Sequence, residues 1–102
     1  MHVVVTTVAD DRDAARRLAA RWLDAGAGCV QIEAIESVYR WRGDLNRDGE
    51  LRLTLKVTDE GLDNLLDCIR RDHPYDEPQL VWFAASASEG YERFLREAGE
   101  SD

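Results

Sequence analysis

The stretch Cys29–Trp41, with the sequence CVQIEAIESVYRW, decides the fold of this chain of 102 residues. Its β-branched and aromatic side chains predict a strand far longer than the usual length of about five or six residues. A small sheet cannot cover such a strand from within, so the excess is expected to pair with another chain. The strand therefore predicts an oligomer whose hairpin arms reach into neighbouring chains.

The alternation of apolar side chains along this strand changes phase in its middle. Apolar residues occupy even positions up to Ala34 and odd positions from Ile35 to Trp41. Because side chains alternate with period two, this predicts either a β-bulge or a strand whose two ends bury opposite faces. The following stretch, Leu51–Thr58, alternates without a break and predicts the antiparallel partner strand.

Two further strands and three helices are predicted in the rest of the chain. Val3–Val8 has the composition of a buried strand, and Leu80–Ala85 is a fully apolar strand. The helices are expected from an N-cap at Asp10 to Gly26, from Thr58 or Asp59 to His73, and from an N-cap at Ser88 to about Gly99. Their inward side chains are expected to be Ala15, Leu18, Ala19, Trp22 and Leu23, then Leu62, Leu65, Leu66 and Ile69, and finally Tyr91, Phe94 and Leu95.

The order of these elements, β-α-β-β-α-β followed by a C-terminal helix, predicts an α+β fold. It is the order of the ferredoxin-like sandwich, in which helices cover one face of an antiparallel sheet. Residues 1–102 are expected to form a single domain, since chains divide only well beyond about 250 residues.

The composition argues against several classes of protein. The chain carries 21 acidic and 13 basic side chains, and its net charge of −8 opposes binding to nucleic acid or to anionic membranes. Its apolar runs are far shorter than the roughly 20 residues of a membrane helix, and no secretory signal is recognisable. Cys29 and Cys68 are too few for a disulfide framework and are expected to be reduced. We therefore expect a cytoplasmic protein.

Aromatic and charged side chains that suit a cleft gather in two segments, Ser37–Gly43 and His73–Pro78. The side chains able to line such a cleft are Tyr39, Trp41, Lys56, His73 and Tyr75. They offer a cation, an imidazole and phenolic groups to a small anion, or else they are packing at the interface of an oligomer. Since no nucleophile beside a base, phosphate loop or dinucleotide fingerprint is recognisable, the sequence predicts no enzyme.

Metal-binding signals in the sequence are weak. Cys29, Cys68 and His73 are the ligands available to a soft or borderline metal, but none has ligand spacing to another. The alternative is that the cysteines are buried and His73 is hydrogen-bonded at an interface. The segment Asp44–Gly49 matches the start of a calcium loop, yet Leu55 stands where a bidentate carboxylate is required. The alternative for that segment is a polar turn.

The spacing S-x-Y-x-W-x-G at Ser37–Gly43, followed by H-P-Y-x-x-P at His73–Pro78, resembles the CutA family of divalent-cation tolerance proteins. The similarity extends from about Val3 to Leu95. It implies a ferredoxin-like homotrimer without enzymatic activity or a required cofactor, which takes part in tolerance to copper or another divalent cation. It also implies a weak metal site at Cys29, which lies in the family's C-V-N segment, and at His73.

Two departures from the family pattern bear on that site. Gln31 replaces the usual asparagine, and Gln79 stands where a glutamate commonly follows the second proline. The change at position 79 removes a hard ligand. The runner-up hypothesis is a trimeric sensor similar to PII-type proteins, which would bind a small anion or nucleotide between subunits near Lys56 and Tyr75.

Overall fold

The computed structural model describes residues 1–100 and contains four strands and three helices in the predicted order. The strands are β1 (His2–Ala9), β2 (Cys29–Trp41), β3 (Asp44–Val57) and β4 (Leu80–Ala84). The helices are α1 (Arg12–Asp24), α2 (Leu62–Asp72) and α3 (Glu89–Glu100). The predicted α+β fold with a four-stranded antiparallel sheet is confirmed.

The sheet has the strand order β2-β3-β1-β4, and every neighbouring pair is antiparallel. The hydrophobic core lies on the face that packs against α1 and α2. Its largest fully buried side chains include Val4, Trp22, Leu51, Leu53, Leu55, Leu65 and Ile69. These positions alternate along β1 and β3 and recur at helical spacing in the helices, as the sequence pattern predicts.

The helix ends follow local capping chemistry. The N-cap of α1 is Asp11 rather than Asp10, because the Ala14 N–H donates to the Asp11 carboxylate at 3.1 Å. Helix α2 begins at Leu62, somewhat later than expected. The predicted cap of α3 is confirmed, since the Tyr91 N–H donates to the Ser88 hydroxyl at 3.2 Å.

The β2–β3 hairpin corrects two expectations. Its register is unbroken from Cys29 opposite Lys56 to Trp41 opposite Asp44, so the strand contains no β-bulge. The apolar side chains at the two ends of β2 therefore lie on opposite faces of the sheet. The chain reverses at residues 42 and 43, which have positive φ angles of 50° and 85°. Residues 44–49 are therefore strand, neither a turn nor a calcium loop, and side chains spaced along a strand do not converge on one ion.

The outer half of this hairpin, residues 36–49, protrudes as an arm. The radius of gyration is 14.4 Å, against about 13 Å for a compact chain of this length. The exposed large apolar side chains of the arm are Val38, Tyr39, Trp41 and Leu45. In residues 1–100 these side chains remain between 43% and 61% exposed.

Strand β4 forms the opposite edge of the sheet and stays partly exposed, although its sequence is fully apolar. Within the described part of the chain it pairs only with β1, and Val81, Trp82 and Phe83 are between 42% and 50% exposed. We call these three residues the apolar edge. Leu23 and Phe94, expected to point inward, are also exposed.

Candidate functional site

A cleft of about 520 Å³ lies where the base of the arm meets the end of β1 and the loop after α2. We call it the tyrosine cleft. Its lining residues are Thr7, Ser37, Tyr39, Asp48, Glu50, Tyr75, Glu77 and Gln79. The register of β2 and β3 explains part of this set, because Ser37 lies opposite Asp48 and side chains two residues apart share a face.

Carboxylates dominate the electrostatics of the tyrosine cleft. The Tyr39 hydroxyl donates to the Asp48 carboxylate, and this hydrogen bond is the main cause of a raised Tyr39 pKa. The pKa of Tyr75 is raised first by burial and then by the charges of Glu50 and Asp48. Both phenols therefore stay neutral near pH 7, and the cleft attracts cations and repels small anions.

His73 lies behind the cleft and holds Tyr75 in place. Its Nδ1 accepts the Tyr75 N–H at 3.1 Å, so its Nε2 carries the proton and donates to the Thr7 carbonyl at 2.9 Å. The ring is 8% exposed and lies between the rings of Trp22 and Tyr75. Both ring nitrogens are thus engaged in hydrogen bonds that join α2, β1 and the following loop.

Acid is expected to destabilise the fold through His73. Burial lowers the pKa of His73 below its ordinary value of 6.5, although the Thr7 carbonyl opposes this. The unfolded chain therefore binds more protons, so stability is fully present above pH 6.5 and decreases as the pH falls from there towards the folded pKa. Each pKa unit between the two states is worth about 1.4 kcal/mol.

Urea unfolding at pH 7.5 and pH 5.5, for the wild type and for His73→Asn, measures this contribution. We expect the variant to lose less stability on acidification than the wild type. The same loss in both proteins would show that His73 does not couple protons to folding.

The predicted metal residues Cys29 and His73 are not brought together within one chain. Cys29 lies opposite Lys56, which pairs with Val3, whereas His73 bonds to Thr7 four residues farther along β1, roughly 13 Å away along the strand. Residues 1–100 contain no group of three or more His, Cys, Asp or Glu side chains able to hold a metal ion. Both cysteines are free thiols.

Of the other residues predicted to line the cleft, two lie in it and two lie elsewhere. Tyr39 and Tyr75 line the cleft. Lys56 lies at the Cys29 end of the sheet, where its ammonium donates to the Gln31 side-chain oxygen. Trp41 lies at the tip of the arm, with the guanidinium of Arg42 5.4 Å from its ring centre.

Sequence reasoning missed the carboxylates and amide of the cleft. Asp48 and Glu50 share the parity that places them on one face of β3. This signal was hidden because residues 44–49 were interpreted as a turn or loop. Gln79 accepts, through its side-chain oxygen, a long 3.5 Å hydrogen bond from the Thr7 hydroxyl. The departure from the family pattern at position 79 thus falls inside the cleft.

Residues 2–98 match the sequence model of the CutA1 divalent ion tolerance protein family. The chain belongs to this family. It is 37% identical over 81 residues to the divalent-cation tolerance protein CutA of Escherichia coli, covering 78% of this chain and 72% of the relative. The chain therefore belongs among divalent-cation tolerance proteins.

Solved structures agree with this assignment. CutA from Synechococcus elongatus PCC7942 is 35% identical, with a TM-score of 0.87 over 95% of this chain and 88% of the other. The PII-like protein CutA from Nostoc sp. PCC 7120 shares the fold, with a TM-score of 0.87 at 23% identity over 97% of each chain.

Proposed function

We propose that this protein acts in divalent-cation tolerance as a cytoplasmic homotrimer that binds cations weakly. The observation that carries the proposal is the pair of uncovered surfaces, the arm and the apolar edge, at opposite edges of the same sheet. Exposed apolar surfaces of this kind are typical of protein–protein contact sites.

The two surfaces suit a closed ring of identical chains. Among residues 1–100, strands β2 and β4 each have one side without a partner strand, so their backbone groups are available for pairing with a neighbour. Contact between two different surfaces is heterologous, and repeating it closes a ring when the rotation permits. The number of chains in the ring, three, is what the family resemblance implies. Each large apolar side chain buried in this way contributes about 1.5 to 3 kcal/mol.

A cation is the better ligand for the tyrosine cleft. Asp48, Glu50 and Glu77 line it, and the whole chain has a net charge of −8, so divalent ions concentrate there. The single-chain geometry supports weak binding only, because no described set of side chains in residues 1–100 forms a closed ligand shell.

The Cys29 and His73 metal site stays a prediction, and we place it between chains because each chain keeps the two residues apart. Binding at His73 has to displace one of its two hydrogen bonds, which makes the site weak. Calorimetric titration with copper of the wild type, His73→Ala and Cys29→Ser tests it. A shared site requires both variants to lose affinity, whereas equal affinity in all three proteins would remove both residues from copper binding.

The runner-up, a sensor of small anions, is favoured by Lys56 and by the PII-like relative. Lys56 and Tyr75 lie at different ends of the sheet in one chain, so this site would also have to lie between chains. A thermal-shift screen with nucleotides and carboxylates distinguishes the two functions. A rise in melting temperature that Lys56→Ala abolishes would favour the sensor, and a response to metals alone would favour cation tolerance.

The cytoplasmic location is supported by the free thiols of Cys29 and Cys68, which suit a reducing compartment. No helix among residues 1–100 is long and apolar enough to cross a membrane. A solved CutA from Archaeoglobus fulgidus is described as periplasmic. Fractionation of the source cells tests the location, and recovery in a periplasmic fraction would contradict it.

A further inference from the structure

The tyrosine cleft is too wide for one bare metal ion. Its volume of about 520 Å³ falls within the range of about 300 to 1,000 Å³ that is typical of pockets for organic ligands. A divalent ion needs several oxygens within about 2.0 to 2.6 Å of one point. Since no group of three or more His, Cys, Asp or Glu side chains in residues 1–100 can hold a metal ion, the carboxylates of the cleft do not converge in this way.

These carboxylates are spread along the cleft and have no cationic partner among residues 1–100. Asp48 and Glu50 lie two residues apart on one face of β3, roughly 7 Å along the strand, and Glu77 lies on the loop after α2. In the part of the chain that the structure describes, no Lys or Arg lines the cleft, and none of the three carboxylates is in an ion pair. The cleft therefore offers separated negative charges to a ligand that carries separated positive charges.

Two aromatic rings line the same space. Tyr39 and Tyr75 approach it from the arm and from the loop after α2. An aromatic face attracts an ammonium group within about 6 Å of the ring centre, and the ring also packs against alkyl carbons. A strongly hydrated divalent ion such as magnesium gives up its water reluctantly. Aromatic rings beside carboxylates therefore favour an organic ammonium ion over an inorganic one.

The Thr7 hydroxyl gives independent evidence for a ligand site. Thr7 is only 5% exposed, yet it lines the cleft. Its hydroxyl donates to the Gln79 side-chain oxygen at 3.5 Å, well beyond the roughly 2.5 to 3.0 Å of ordinary hydroxyl hydrogen bonds. Buried polar side chains normally have well-formed partners. The Thr7 oxygen is therefore free to accept a hydrogen bond from the ligand, and an ammonium group supplies three donors and no acceptor.

We propose that the tyrosine cleft binds an organic polycation, a linear alkyl chain that carries two or more ammonium groups. The ammonium groups pair with the carboxylates of Asp48, Glu50 and Glu77, and the alkyl chain packs against Tyr39 and Tyr75. The proposal rests on the proposed function for the preference of this cleft for cations. It names the class of cation, and it is separate from the copper site predicted at Cys29 and His73.

Spermidine and 1,4-diaminobutane are the probes, titrated into the whole chain by calorimetry at about 0.15 M sodium chloride, where long-range attraction is largely screened. The test variants are Glu50→Gln and Tyr39→Leu. Glu36→Gln is the matched control for the first, because Glu36 is exposed, does not line the cleft and changes the net charge by the same amount. Tyr39→Phe is the matched control for the second, because it keeps the aromatic ring.

We expect one spermidine to bind per chain. The affinity should weaken about three- to tenfold in Glu50→Gln and in Tyr39→Leu, and it should stay close to that of the wild type in the two controls. No saturable binding, or equal losses in Glu50→Gln and Glu36→Gln, would overturn the proposal. Displacement of spermidine by an equal concentration of magnesium chloride would also overturn it, because the cleft would then be a site for inorganic ions. Melting curves confirm that each variant is folded.

The outcome separates this proposal from the proposed function. A chain that ignores both amines but binds copper through Cys29 and His73 would overturn the polycation site and leave the divalent-cation tolerance protein intact. Spermidine bound through Glu50 and Tyr39, in a chain that gives no calorimetric response to copper, would leave the polycation site standing and overturn weak metal binding.

Discussion

Phe83→Asp is expected to convert the proposed trimer into smaller species and to lower its melting temperature. Phe83 is 50% exposed in the chain and lies opposite Val3 on β1. In a single chain this change costs little. In the assembly it removes about 1.5 to 3 kcal/mol of apolar burial per chain and forces a carboxylate out of water, which costs several kcal/mol more.

Phe94→Asp is the matched control, because Phe94 is 49% exposed but lies on α3, outside the arm and the apolar edge. Sizing with light scattering at micromolar concentration compares the two variants. If Phe83→Asp remains the same size as the wild type, β4 does not take part in the assembly. If Phe94→Asp dissociates instead, α3 forms the interface.

Leu55→Ala is expected to lower the free energy of unfolding by about 2 to 5 kcal/mol without changing the size of the assembly. Leu55 is fully buried and lies at the centre of the sheet, between Val30 and Val4. The substitution leaves a cavity beneath both core helices, and close-packed neighbours relax into such a cavity only in part. Urea unfolding at a fixed protein concentration measures the loss.

Leu23→Ala provides the comparison, because Leu23 is 44% exposed on α1 and alanine favours a helix. We expect a loss below about 1 kcal/mol there. Equal losses at Leu23 and Leu55 would mean that the face between the sheet and the helices is not the main core.

The fold was predictable because the spacing of apolar side chains along the sequence distinguishes strands from helices. The bounds of β2 agree with the predicted strand at both ends. The predicted start of β3 was wrong because asparagine, aspartate and glycine at residues 44–49 are typical of turns. The actual turn at Arg42 and Gly43 needs only two residues with positive φ, which lets the polar residues continue as strand.

The exposed positions of Leu23, Val81 and Phe94 show a second limit. Apolar periodicity predicts which side chains avoid water, but it does not say whether the same chain or a neighbour covers them. The wholly apolar β4 lies at an edge of the sheet, where part of its surface is exposed within the chain.

The site was predictable only in part, because its residues come from distant parts of the chain. The aromatic motifs led to Tyr39 and Tyr75, which meet in the cleft. Residue type suggested Lys56 as their companion, and the family resemblance paired Cys29 with His73, yet the antiparallel register places Cys29 opposite Lys56 at the end of the sheet far from the cleft. Proximity across a sheet depends on register, which composition and motif spacing do not encode.

The mass of the wild-type protein in solution, measured by light scattering across micromolar concentrations, tests the central claim most directly. An assembly of three 11.6 kDa chains that persists on dilution is the predicted result. A well-folded particle with the mass of one chain would contradict it, because the arm and the apolar edge would then be stable in water without a neighbour.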